Sequence, residues 1–284
     1  MKNKEVKNKE YRGVVDEIRE QQKKMKDMTF KEKLSYFWYY YKVHVLVTIV
    51  VVAFLGNWIY EVATAKDFNF YGIMLNSSYL DSEPLEASFA EYAQLDTENY
   101  ECYIDTLSTL SYSQQSEYDF STFNKLVALV QTKDLDIMVL DGQVCYNFST
   151  NGMVADLRTI LTEEDLAAYE GNIYYIDYAK VREAEEADDT DTEILAEYEK
   201  RNSATPEEAA AEAESHRYPE TMAEPVPVGI FIADSPFVQK TGCYSKLVPI
   251  FTFSSTGQRA ETGKQYLEFI WNDEIPFENM ITYY

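Results

Sequence analysis

Residues 135–141, LDIMVLD, read as a continuous apolar strand that ends in Asp141. A strand apolar on both faces is typical of a parallel sheet covered by helices, so this stretch predicts an α/β fold with a mostly parallel sheet and right-handed crossovers. Working outward, Phe123, Leu126, Val127 and Val130 follow helical spacing and predict an amphipathic helix over 117–132. Before it lie YECYIDTL (100–107), rich in β-formers, a helix from Glu83-Pro84 to about Gln94, and the strand FNFYGIML (68–75). The order is β, α, β, α, β.

Downstream, Thr162 with Glu163, Glu164 and Asp165 starts a short helix closed by Gly171, and NIYYIDY (172–178) is another strand. Residues 181–224 differ in composition, holding 15 acidic and 4 basic groups. This acidic insertion carries helix starts at TDTE (190–193) and TPEE (205–208), and its charge predicts exposed helices or a flap rather than a core element. A calcium loop at Asp189 and Asp191 is excluded, because Ile194 and Lys200 stand where the glycine and glutamate belong. PVGIFIAD (227–234), VPIFTF (248–253) and a helix over 258–271 complete the sheet.

The N-terminal part obeys different physics. Residues 43–60, VHVLVTIVVVAFLGNWIY, contain no Asp, Glu, Lys or Arg, which predicts a transmembrane helix. At about 1.5 Å per residue, Tyr41 to Tyr60 covers about 28 Å, close to the hydrocarbon thickness. Trp38 to Tyr41 and Trp58 with Tyr60 form interfacial belts. Thr29 and Glu32 make a capping box, and Leu34, Phe37, Trp38 and Tyr41 predict a helix lying along the inner surface before turning into the bilayer.

Residues 23–42 hold six lysines and residues 61–80 only Lys66, so the positive-inside rule places the N-terminus in the cytoplasm and residues 66–284 outside. Charge divides the same way, with +5 over residues 1–42 and −29 over 61–284. The expected organisation is a basic cytoplasmic arm with a juxtamembrane helix (1–42), a span (43–60) and an extracytoplasmic α/β domain (66–284). The basic arm is either a lipid-attracted helix, weakly periodic at Val14, Val15, Ile18 and Met25, or a polar tail. Ala63-Thr64-Ala65 has a signal-peptidase pattern, so the alternative is a cleaved signal; the 42-residue leading arm argues for an anchor.

Chemistry is constrained mainly by what is missing. Cys102, Cys145 and Cys243 permit at most one disulfide, and with His44 and His216 they offer no metal spacing. There is no G-x-S-x-G, G-x-G-x-x-G or P-loop, so the expectation is a non-catalytic chain without cofactor. The −29 charge disfavours nucleic acid.

Two stretches, LDIMVLDGQVCYNFSTNGMVADLRTIL (135–161) and IFTFSSTGQRAETGKQYLEFIWND (250–273), resemble extracellular solute-binding proteins of the class II periplasmic-binding type. The second lobe of that fold is reduced, its place largely taken by the acidic insertion. Lys31 to Leu34 with Tyr39 to Lys42 also resemble the lead into the anchor of single-span proteins from clostridial Gram-positive bacteria. The resemblance implies a membrane-anchored solute-binding or ligand-sensing protein; the alternative is an envelope scaffold that uses the fold to bind another protein. Ligand is expected outside the carboxyl ends of the strands. There stand Asn76, Ser77, Ser78 and Tyr79, then Thr106 and Ser108, then Asp141, Gln143 and Tyr146. Amides, hydroxyls, an acid and tyrosines suit a polar neutral or cationic ligand such as a sugar or peptide. Expected partners are therefore the lipid bilayer, such a ligand, and an envelope protein.

Overall fold

The computed structural model describes residues 28–64, 66–111, 116–186, 203–244 and 247–282, with Arg19, Lys23 and Lys200. The arm's periodic positions Val14, Val15, Ile18 and Met25 lie outside these. The chain divides into two compact units, Met1–Ala65 and Lys66–Tyr284.

In the first unit, α1 runs unbroken over Phe30–Thr64, 35 residues. The predicted capping box forms, since the Thr29 backbone N–H and hydroxyl both donate to Glu32 Oε2, at 2.9 and 2.8 Å. Within α1, Tyr41–Glu61 is long and apolar enough to cross a membrane, and none of its most apolar stretch is buried. The expected break between a surface helix and the span is corrected: no proline or glycine interrupts Phe30 to Leu55, so nothing releases the backbone ladder there. The whole helix is about 52 Å long, well beyond a hydrocarbon core of about 30 Å.

The second unit is built on one six-stranded sheet. Its elements, in chain order, are β1 (Phe68–Met74), α2 (Ser82–Tyr92), β2 (Glu101–Asp105), α3 (Glu117–Thr132), β3 (Ile137–Leu140), α4 (Gly142–Thr150), α5 (Glu163–Ala168), β4 (Ile173–Asp177), α6 (Tyr178–Glu186), α7 (Pro206–Ser215), β5 (Pro225–Phe231), α8 (Pro236–Thr241), β6 (Ile250–Phe253) and α9 (Ala260–Ile270). Strand order is β2-β1-β3-β6-β5-β4. β1 pairs parallel with β2 and β3, whereas the pairs β3 with β6, β6 with β5, and β5 with β4 are antiparallel.

The expectation of a mostly parallel sheet is therefore corrected to a mixed one. Apolarity on both faces reports only that helices cover both faces, and it is as complete for antiparallel β6 as for β3. Direction is decided by the path of the chain. The excursion from α4 through α8 brings it back at the far end, so β6 enters beside β3 running the opposite way.

Side-chain alternation then fills two cores, one on each face of the sheet. Phe70, Met74, Ile137 and Val139 join α2 and α9 residues such as Phe89 and Tyr266 on one side. Tyr71, Ile73, Met138 and Leu140 join Leu126 and Val130 of α3 and Val144 and Phe148 of α4 on the other. Asp136, at the start of β3, is buried and accepts from Tyr71 N–H (2.8 Å) and Arg259 Nε (2.8 Å), which fastens β1 and the α9 entry to the sheet. The three cysteines are buried and unbridged.

Where it is described, the acidic insertion holds an expected exposed helix, α7, in which Ala213 alone is fully buried. Its TDTE start and Asp189 and Asp191 lie outside the described residues, but α7 and the segment after it are fastened down. Thr205 and Glu208 form the predicted capping box, and Pro206 takes the first turn. His216 then stacks on Tyr174 (4.6 Å between ring centres) and its Nδ1 lies 2.6 Å from Tyr175 O. Arg217 lies over the Phe231 ring at 3.7 Å and donates to Gly171 O at 2.8 Å. Charge counting missed this, because one buried alanine face and two aromatic contacts are enough to dock a helix whose other faces are acidic.

Candidate functional site

β1 and β3 lie side by side and parallel, so the residues following them emerge together. Asn76 stands two residues past β1 in the left-handed region, with φ of 60°, which asparagine tolerates better than most side chains. Its side chain makes three hydrogen bonds: Nδ2 donates to Leu110 O (2.9 Å) and Asp141 Oδ2 (2.9 Å), and Oδ1 accepts from Leu110 N–H (2.9 Å). One amide thus clamps the loops after β1, β2 and β3.

Asp141 caps α4, its Oδ1 accepting from Val144 N–H at 3.1 Å. Burial pushes its carboxyl above the ordinary range, while the Val144 N–H, the Asn76 amide and the Gln143 N–H pull the other way without cancelling it. Among the described residues no cationic side chain pairs with it.

Asn76, Ser111, Asp141 and Gln143 line a cleft of about 280 Å³. Its opposite wall is apolar, made by Ala209 and Ala210 of α7 with Leu247 and Val248. Helix α7 comes this close because position 142 is glycine. A Cβ there would lie 2.2 Å from Ala213 Cβ. The insertion therefore supplies one side of the cleft.

The remaining predicted residues divide. Ser77 is spent on Thr106 O (2.8 Å), Thr106 on Leu80 O (3.3 Å), and Ser78 N–H bonds Cys243 O at 3.0 Å, so this group ties loops together. Ser108 Oγ donates to buried Asp105 at 2.5 Å, and Lys125 Nζ is an ion-pair partner of the same carboxylate at 2.5 Å. Burial raises the Asp105 pKa, but Lys125, Ser108 and the Leu107 N–H outweigh it and hold the carboxyl below the usual value. Tyr79 is solvent-exposed, and Tyr146 packs near His216 (5.6 Å) rather than lining the cleft.

Sequence reasoning missed the apolar wall. Alanines on a polar helix give no amphipathic signal, and Leu247 and Val248 precede a strand whose position was unknown. A second, more open groove of about 360 Å³ runs past Lys66, Glu83, Glu86 and Tyr100, away from the ends of β1 and β3. Among the described residues no group of His, Cys, Asp or Glu is arranged to hold a metal ion. No protein-family model matches the chain, and no curated protein matches it.

Proposed function

We propose that the chain is a membrane-anchored, extracytoplasmic solute-binding or ligand-sensing protein, non-catalytic, of the class II periplasmic-binding type reduced to a single lobe. The observation that carries this reading is the cleft. It lies beyond the carboxyl ends of β1 and β3, with a polar floor and an apolar wall contributed by the insertion. Polar groups on one side and apolar cover on the other are the usual composition of a small-molecule site.

The lysine asymmetry around the span supports an N-terminus in the cytoplasm and the α/β unit outside. The helical state of Ala63 and Thr64, with Thr64 Oγ1 bonded to Tyr60 O at 2.7 Å, favours an uncut anchor, since a peptidase needs an extended substrate. The bonding of Ser77 and Ser108 within the loops, and of Lys125 of α3 to Asp105, supports a binding rather than a catalytic role.

The test is a thermal screen of the full-length protein in detergent micelles against sugars, peptides and amino acids. A true ligand raises Tm with its concentration by mass action. If no compound does so, the reading fails. In that event the exposed Leu107 (81 %) and Phe120 (70 %) favour the second reading, an envelope protein that binds another protein.

A further inference from the structure

The charge balance of the cleft narrows the ligand. Asn76 has no donor left, because both amide protons are engaged with Leu110 and Asp141, and its Oδ1 already accepts from Leu110 N–H. The positive end of α4 is also engaged, since Asp141 itself accepts the Val144 N–H. Asp141 accepts from three described donors, the Asn76 amide and the Val144 and Gln143 N–H groups, and its two oxygens together accept four. The floor thus offers an acceptor carrying negative charge. No described Lys or Arg lines the cleft, so among the described residues an anionic ligand finds no cationic partner there. Ala209, Ala210, Leu247 and Val248 face the carboxylate with hydrocarbon.

We propose that the cleft takes a short aliphatic molecule bearing a primary ammonium group, the nitrogen donating to Asp141 and the hydrocarbon lying against α7, Leu247 and Val248. This rests on the cleft being a binding site and adds the chemical class. A half-buried carboxylate with no described counter-ion is costly, and an ammonium donating to it removes that cost with a charge-assisted hydrogen bond. The raised carboxyl pKa agrees with a charge that lacks compensation in the unliganded protein.

The experiment titrates full-length protein in micelles with n-butylammonium chloride, n-butanol and sodium butyrate at matched ionic strength, reading Tm. The expected result is a concentration-dependent rise with butylammonium alone. Asp141→Asn keeps a capping side chain at the α4 start and should raise the half-saturating concentration at least about tenfold, the scale of one lost charged hydrogen bond. Ala210→Phe, which fills the cleft from the α7 side without touching Asp141, should abolish the response. Lys246 adjoins Leu247 and lies outside the described residues. Lys246→Met should leave the half-saturating concentration unchanged, and a marked fall would show that this lysine already neutralises Asp141, overturning the inference. A butylammonium response that persists in both cleft variants would also overturn it. If butanol, butyrate, a sugar or a peptide shifts Tm and butylammonium does not, the ammonium inference fails while the binding cleft stands. If nothing shifts Tm, the binding reading itself fails.

Discussion

Asn76 holds three loops through one amide, and its backbone sits where an alanine is strained. Asn76→Ala should lower stability by about 2–4 kcal/mol, combining lost hydrogen bonds with left-handed strain. Asn76→Gly should lose less, because it removes only the bonds, and urea unfolding of both variants separates the two contributions. At Asp105 the sign of the pH effect follows from a folded pKa held below the ordinary value. Its stabilisation is complete above the unfolded value of about 3.9 and is lost as pH falls through the lower folded one. Acid unfolding of Asp105→Asn should therefore be less steep than that of the natural chain below about pH 4, although the variant is less stable at pH 7. The place of Asp141 at the end of β3 was legible from sequence because the continuous apolar run 135–141 ends there. The structural roles of Ser77, Thr106 and Ser108 were not legible. A hydroxyl in a loop looks the same whether it meets a ligand or a neighbouring carbonyl.

Among the elements, those with a strong local signal were readable to within a few residues. α3 shows why: its apolar spacing predicts 117–132, and the helix runs over Glu117–Thr132 behind a Ser116–Asp119 capping box. The direction of β6 was not readable, since pairing sense depends on a hundred-residue excursion and not on the strand's own side chains. Docking of α7 was hidden for the opposite reason, its contact face being only alanine. That contact makes a direct prediction. Gly142→Ala puts a methyl group 2.2 Å from Ala213 Cβ, which the two helices cannot accommodate without moving apart. The variant should lose about 1–3 kcal/mol and show faster amide hydrogen exchange over 206–215. Adding Ala213→Gly should recover most of the protection, less about 1 kcal/mol for a glycine within a helix. Failure of the double variant to recover would mean that Gly142 is required for backbone reasons and not for the approach of α7.

For the whole molecule, the proposed anchor sets the two units in different solvents. Residues 66–284 bury aromatic cores on both faces of a sheet, whereas Tyr41–Glu61 keeps its apolar side chains outward. An exposed helix of that length and composition is stable against lipid and unfavourable against water. On the proposed reading, the lysines before it and their scarcity after it place the cleft outside the cell. The most direct test is protease protection in intact cells carrying a tag at each terminus. The account predicts that externally added protease removes the C-terminal tag and spares the N-terminal one until the membrane is opened. A protected C-terminal tag beside a digested N-terminal tag would contradict it, because the cleft would then face the cytoplasm.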